Sequence, residues 1–192
     1  MAEPKIGVDA IPFDEDTTKY LASHSPELWN EVVYSLNPDS PLAEDILSWI
    51  CNQPECDIAT ALTVFINFEL EDITKVAISD TRGREEIAKY RSNKTWELTR
   101  IICENSERNF YQRSDFSPHR LEDQPASVLE RLEKHRSEAN VQKSDYLPIP
   151  RNLLKHNFPN RPPKPSGYFG DETGMYHIST LPPELQEMFK QS

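Results

Sequence analysis

Apolar side chains recur at helical spacing through the first two thirds of the chain. Ser25-Pro26-Glu27 supplies a capping serine, a proline at the first helical position and a first-turn acid. Leu28, Trp29, Val32, Val33 and Leu36 follow on one face, and Asn37-Pro38-Asp39 ends the run. Ser40-Pro41 repeats the start signal before a second stripe of Leu42, Ile46, Leu47, Trp49 and Ile50, so the two segments predict a helical hairpin. Asp57 is placed to cap a third helix over 58–68, apolar almost all round and hence the expected central helix. Its β-branched and aromatic run at 63–68 leaves a buried strand as the alternative. Leu62, Phe65, Ile66 and Trp49 are the expected core. A further helical unit spans 84–103, with Ile87, Tyr90, Leu98, Ile101 and Ile102 inward. An aromatic loop with Phe110, Tyr111 and Phe116 then lies against the core, and Pro125 opens a helix burying Val128, Leu129 and Leu132.

From residue 144 the texture changes. Eight of the 16 prolines fall in 145–192, including Leu147-Pro148-Ile149-Pro150 and Arg161-Pro162-Pro163-Lys164-Pro165, which rules out a long helix or a central strand there. Too many apolar side chains accompany them for a free tail. The expected organisation is an irregular acidic lead-in over 1–16, a helical domain over 17–143, and a Pro-rich arm over 144–192 that packs on the domain and ends in a short helix at 182–189. The fold class is mainly α, a single helical domain with a largely irregular arm.

Charge refines this picture. The net charge is −11, and residues 1–60 hold twelve acids against two bases, Lys5 and Lys19, a balance of −10. Such a surface repels nucleic-acid phosphates and anionic lipid and attracts a basic protein. No basic stretch followed by an apolar one marks a signal peptide at the start, and no apolar run reaches the roughly 20 residues of a membrane helix. Three cysteines (Cys51, Cys56, Cys103) fit reduced thiols. A cytoplasmic protein without nucleic-acid or membrane partners is expected, in which the Asn93-Lys94-Thr95 sequon goes unused.

Candidate chemistry is sparse. The five glycines form neither a phosphate-cradling loop nor a dinucleotide fingerprint. Cys51-Asn-Gln-Pro-Glu-Cys56 has a spacing that some zinc sites tolerate, but no second pair of ligands accompanies it, so buried structural thiols are expected. The histidines (His24, His119, His135, His156, His177) are isolated in sequence. Asp14-Glu15-Asp16 and Glu69-Glu71-Asp72 lack the alternating ligands and glycine of a calcium loop and read as solvated faces. The expectation is no metal, no cofactor and no enzymatic activity. A hydrolase built on the acidic lead-in and His177 is the least favoured reading.

The stretch 20–118 resembles the bacterial family known as the domain of unknown function 4274. The matching elements are Leu36-Asn37-Pro38-Asp39, Leu47-Ser48-Trp49-Ile50-Cys51-Asn52, Cys56-Asp57-x-x-Thr60-Ala61-Leu62 with Phe65, and Asn109-Phe110-Tyr111. Pro38-Asp39-Ser40-Pro41 departs from the aromatic-acidic-glycine run of the family's Asn turn. Residues 119–192 carry no resemblance. The resemblance implies a small bacterial protein found beside secreted toxins, and hence an immunity protein. The expected partner is a cognate antibacterial toxin, delivered as by a type VI system and acting in the cytoplasm, basic, with a nuclease the first guess. An adaptor or chaperone that loads a secreted effector is the alternative. The expected partner-binding residues are Asp14, Glu15, Asp16, Glu44, Asp45 and Glu55, joined by aromatic anchors Tyr168, Phe169 and Tyr176 on the arm. Asp57, Thr60 and Cys56 are read as structural: an N-cap, a first-turn residue and a small buried side chain.

Overall fold

The computed structural model describes residues 15–35, 43–79, 93–118, 124–138 and 147–158. These form helices α1 (Glu15–Ala22), α2 (Pro26–Ser35), α3 (Ala43–Cys51), α4 (Ile58–Asn67), α5 (Leu70–Ser79), α6 (Asn93–Glu107), α7 (Gln124–Glu138) and the single turn α8 (Arg151–Leu154). No strand forms among the described residues, and 63–67 is helical. The protein is mainly α.

Local chemistry explains most boundaries. Ser25 precedes α2 and its carbonyl accepts Leu28 N–H at 2.9 Å, as its capping position requires. Asp57 sits in extended conformation and its carboxylate accepts Ala59 N–H at 2.8 Å, which starts α4. The acidic triplet at 14–16 runs into α1, which begins at Glu15. At the end of α6, Asn109 has φ 53°. Asn109 N–H reaches Ser106 O at 3.1 Å and Phe110 N–H reaches Asn105 O at 2.9 Å. That is a Schellman closure with asparagine in the left-handed position. Helix α4 turns into α5 through Glu69, also at φ 53°. The hydrophobic pattern did not single out α5, although Leu70, Ile73 and Thr74 are buried at helical spacing.

Helix α4 is the centre. It packs against α2, α3, α5, α6 and α8, and every residue from Ile58 to Phe65 is buried. A helix covered on all sides has no wet face for its threonines. Thr63 therefore returns its hydroxyl to Ala59 O at 2.8 Å, as Thr74 does to Leu70 O and Thr99 to Thr95 O. Thr60 instead donates to Asn30 Oδ1 at 2.8 Å, and Tyr34 meets Thr63 one turn on at 3.1 Å, so α2 and α4 run in the same direction. Leu62 and Phe65 are fully buried, whereas Trp49 and Ile66 are only partly covered, at the margin of the core. Val128, Leu129 and Leu132 are buried as the pattern predicts.

Two features tie the outer layer down. Glu71 on α5 accepts from Nε and Nη2 of Arg131 on α7 at 2.7 Å each, and from Lys75 at 2.8 Å. Burial opposes its charge, but these donors hold the Glu71 carboxyl below the usual carboxylate range. Glu71 is thus an ion-pair anchor rather than a solvated acid. The arm begins as expected: Leu147, Ile149, Leu153 and Leu154 are buried against α4, α6 and α7. Leu153 N–H donates to Ser106 Oγ at 3.1 Å, and Asn152 Nδ2 to Ser106 O at 2.9 Å. Tyr168, Phe169, Tyr176, His177 and the expected helix at 182–189 lie outside the described residues. No helix among the described residues is long and apolar enough to cross a membrane.

Candidate functional site

The richest polar constellation lies where α2 and α4 begin and the loop after α6 crosses them. Asp57 organises it. One carboxylate oxygen caps α4, and the other accepts Asp115 N–H at 2.7 Å and Phe116 N–H at 3.4 Å. Arg113 O in turn accepts Ile58 N–H at 3.0 Å, so Asp57 and Arg113 pair as an isolated parallel bridge. Burial pushes the Asp57 carboxyl up despite these three N–H donors, and the neighbouring Asp115 charge adds to the effect.

The Arg113 side chain spans the surface of this corner. It meets Asp115 at 2.7 Å and Glu27 at 3.1 Å, and its guanidinium lies 5.8 Å from the Phe116 ring centre. The Ser25 hydroxyl, and then Arg113, hold the Glu27 carboxyl below its ordinary value against the cost of partial burial. Next to it, Ser114 Oγ lies 2.7 Å from His156 Nε2, and Phe158 packs edge-on to that ring at 4.7 Å. His156 looked isolated in sequence, yet the fold places it against a serine 42 residues away. This pair ties the arm to the loop. The N–H groups of Asp115 and Phe116 are engaged by Asp57 and so are not free to hold an oxyanion beside it.

Beneath the corner lie the thiols. Cys51, Cys56 and Cys103 are free and buried. Asn105 Nδ2 and Tyr111 Oη both donate to Cys51 O, at 3.1 and 2.9 Å. These bonds satisfy the end of α3 and bring the Cys51–Asp57 and Asn109–Tyr111 segments together. Burial pushes the Cys103 thiol up to about 12 and the Tyr111 phenol well above its ordinary value. Among the described residues no group of three potential ligands converges on a metal position.

The expected partner-binding acids are dispersed. Asp45 meets Lys94 Nζ at 2.6 Å and Glu44 accepts the Thr95 hydroxyl, so both join α3 to α6. Glu55 is exposed in the turn before α4. Glu15 and Asp16 open α1, and Asp14 lies outside the described residues. These placements divide the expected effects of charge reversal. Glu44→Lys with Asp45→Lys should cost about 2 kcal/mol, because it removes an accepted hydroxyl and sets lysine against Lys94. Glu55→Lys should change stability by less than about 0.5 kcal/mol. Urea titration of the two variants checks the contrast.

Comparison with family models, curated proteins and solved structures found no match for this chain.

Proposed function

We propose that this protein is a protein-binding inhibitor, an immunity protein that neutralises a cognate antibacterial toxin in the cytoplasm. The observation that carries the reading is the concentration of negative charge in residues 1–60, twelve acids against two bases. Among the described residues, Arg113 pairs with Glu27 and Lys94 with Asp45. A region with this excess of acids speeds encounter with a basic partner and selects against acidic ones. The motif resemblance supports the same reading. The polar groups at the Asp57 corner are engaged in capping a helix and holding a loop, a structural use rather than a chemical one.

The test is co-expression with the product of the adjacent gene. That product alone should arrest growth, and this protein should restore it and co-purify with it at one-to-one stoichiometry. A harmless neighbour, or a toxic one that this protein neither binds nor blocks, would defeat the proposal. Where binding is found, Glu55→Lys and reversal of Asp14, Glu15 and Asp16 should slow association at low salt and flatten its salt dependence. Glu55→Lys should leave the melting temperature in place, which the α3 variant would not.

A further inference from the structure

The outer face of α3 carries an aromatic ring that the core only partly covers. Ala43, Ile46, Leu47, Ile50 and Cys51 of this helix are buried. Glu44, Asp45, Ser48 and Trp49 are half-buried instead, and Asn52 just past the helix end is exposed. Positions 44, 48 and 52 stand one turn apart, as do 45 and 49, so these side chains make one strip along α3. Trp49 is the large side chain on it. Trp29 is buried and meets the Trp49 ring edge-on, at 5.4 Å between ring centres, which holds that ring in place. The two indoles differ at their polar ends. Trp29 Nε1 donates to Leu21 O at 2.7 Å, whereas among the described residues no acceptor meets the indole N–H of Trp49.

The charge around this ring is of one sign in the local sequence. Segment 43–55 holds Glu44, Asp45 and Glu55, with neither lysine nor arginine. Asp45 lies one turn before Trp49, and there Lys94 arrives from α6 at 2.6 Å. Glu55 stands exposed in the turn that follows the helix.

We propose that the outer face of α3 is a docking surface for a basic protein, with Trp49 as its aromatic anchor. The proposal rests on the inhibitor reading above and names the face through which that reading works. The chemistry of the face selects the partner. A lysine or arginine laid over the indole gains a cation–π contact, and the flanking carboxylates favour the same charge. The open indole N–H offers a donor to a partner carbonyl. An anchor already fixed by Trp29 loses little freedom on binding, and tryptophans in such settings carry a large share of interface energy.

The test measures binding of the full chain to the purified product of the adjacent gene by surface plasmon resonance. Trp49→Ala should weaken binding about 30-fold or more. Asn52→Arg sets bulk and positive charge on the same strip at an exposed position. It should weaken binding about tenfold or more at an unchanged melting temperature, which keeps the result decisive if Trp49→Ala folds poorly. Ala126→Arg, at an exposed position on α7, should bind as the wild type does. A wild type that binds while both α3 variants bind equally well would overturn this face and leave the inhibitor reading standing. A wild type that binds nothing would overturn both. A dimer of the chain alone that Trp49→Ala dissolves would assign the face to a second copy and overturn the proposal.

Discussion

Replacing Phe65 with alanine should destabilise the protein by about 3–5 kcal/mol, enough to leave many domains of this size partly unfolded. Phe65 is fully buried, and its helix touches five others. A cavity there cannot collapse by moving one neighbour, because α4 is held from several directions at once. The loss combines the transfer energy of the ring with the contacts its neighbours forfeit. Ile66, next in sequence, lies at the margin of the core, and Ile66→Ala should cost only about 1–2 kcal/mol. Urea unfolding followed by far-ultraviolet circular dichroism separates the two, through the fall in midpoint at unchanged slope. Equal effects at both positions would mean that α4 is not the enclosed helix described.

The central helix was legible because its signals agree. Asp57 is a strong cap, the run behind it is apolar on every face, and helical spacing continues to Phe65. Helix α7 was legible for similar reasons, from Pro125 and the stripe of Val128, Leu129 and Leu132. Helix α5 was obscured by its own boundary. It follows α4 with no glycine or proline between them, the turn being made by Glu69 in a left-handed conformation that glutamate seldom adopts. Its first turn carries Glu71 and Asp72, which reads as solvated surface until Arg131 is seen to arrive from α7. The corner around Asp57 was half legible. Capping is a local pattern, whereas the second use of the carboxylate depends on backbone 58 residues away. The approach of Ser114 to His156 is likewise set by tertiary packing, and no sequence spacing encodes it. Glu44 and Asp45 share this difficulty. Sequence shows that they are acids on a helix, but which cation or hydroxyl meets them is decided by the packing of α3 beside α6.

Asp57→Ala should cost about 4 kcal/mol, far more than a surface cap. Losing an N-cap accounts for about 1–2 kcal/mol. The remainder arises because the same carboxylate holds the N–H groups of Asp115 and Phe116, and each donor left unmet in a covered site costs about 1–3 kcal/mol. Asp57→Asn keeps one carbonyl oxygen, so it should retain the cap or the loop but not both, at about half that cost. The pH dependence distinguishes these variants further. Burial raises the Asp57 carboxyl in the folded protein above its ordinary value, so the folded state holds this proton to higher pH than the unfolded chain does. Between the unfolded and folded values the native protein binds more protons, and the Asp57 contribution to stability falls as pH rises. Glu27 and Glu71 are shifted downward, so their contributions are present at neutral pH and are lost as pH falls through their folded values. They are common to both proteins and cancel in the difference. The stability of the wild type minus that of Asp57→Asn should therefore shrink as pH rises through and above the ordinary aspartate range in paired urea titrations. A difference that grew over the same interval would show that the three N–H donors outweigh burial, with the carboxylate stabilised in its charged form.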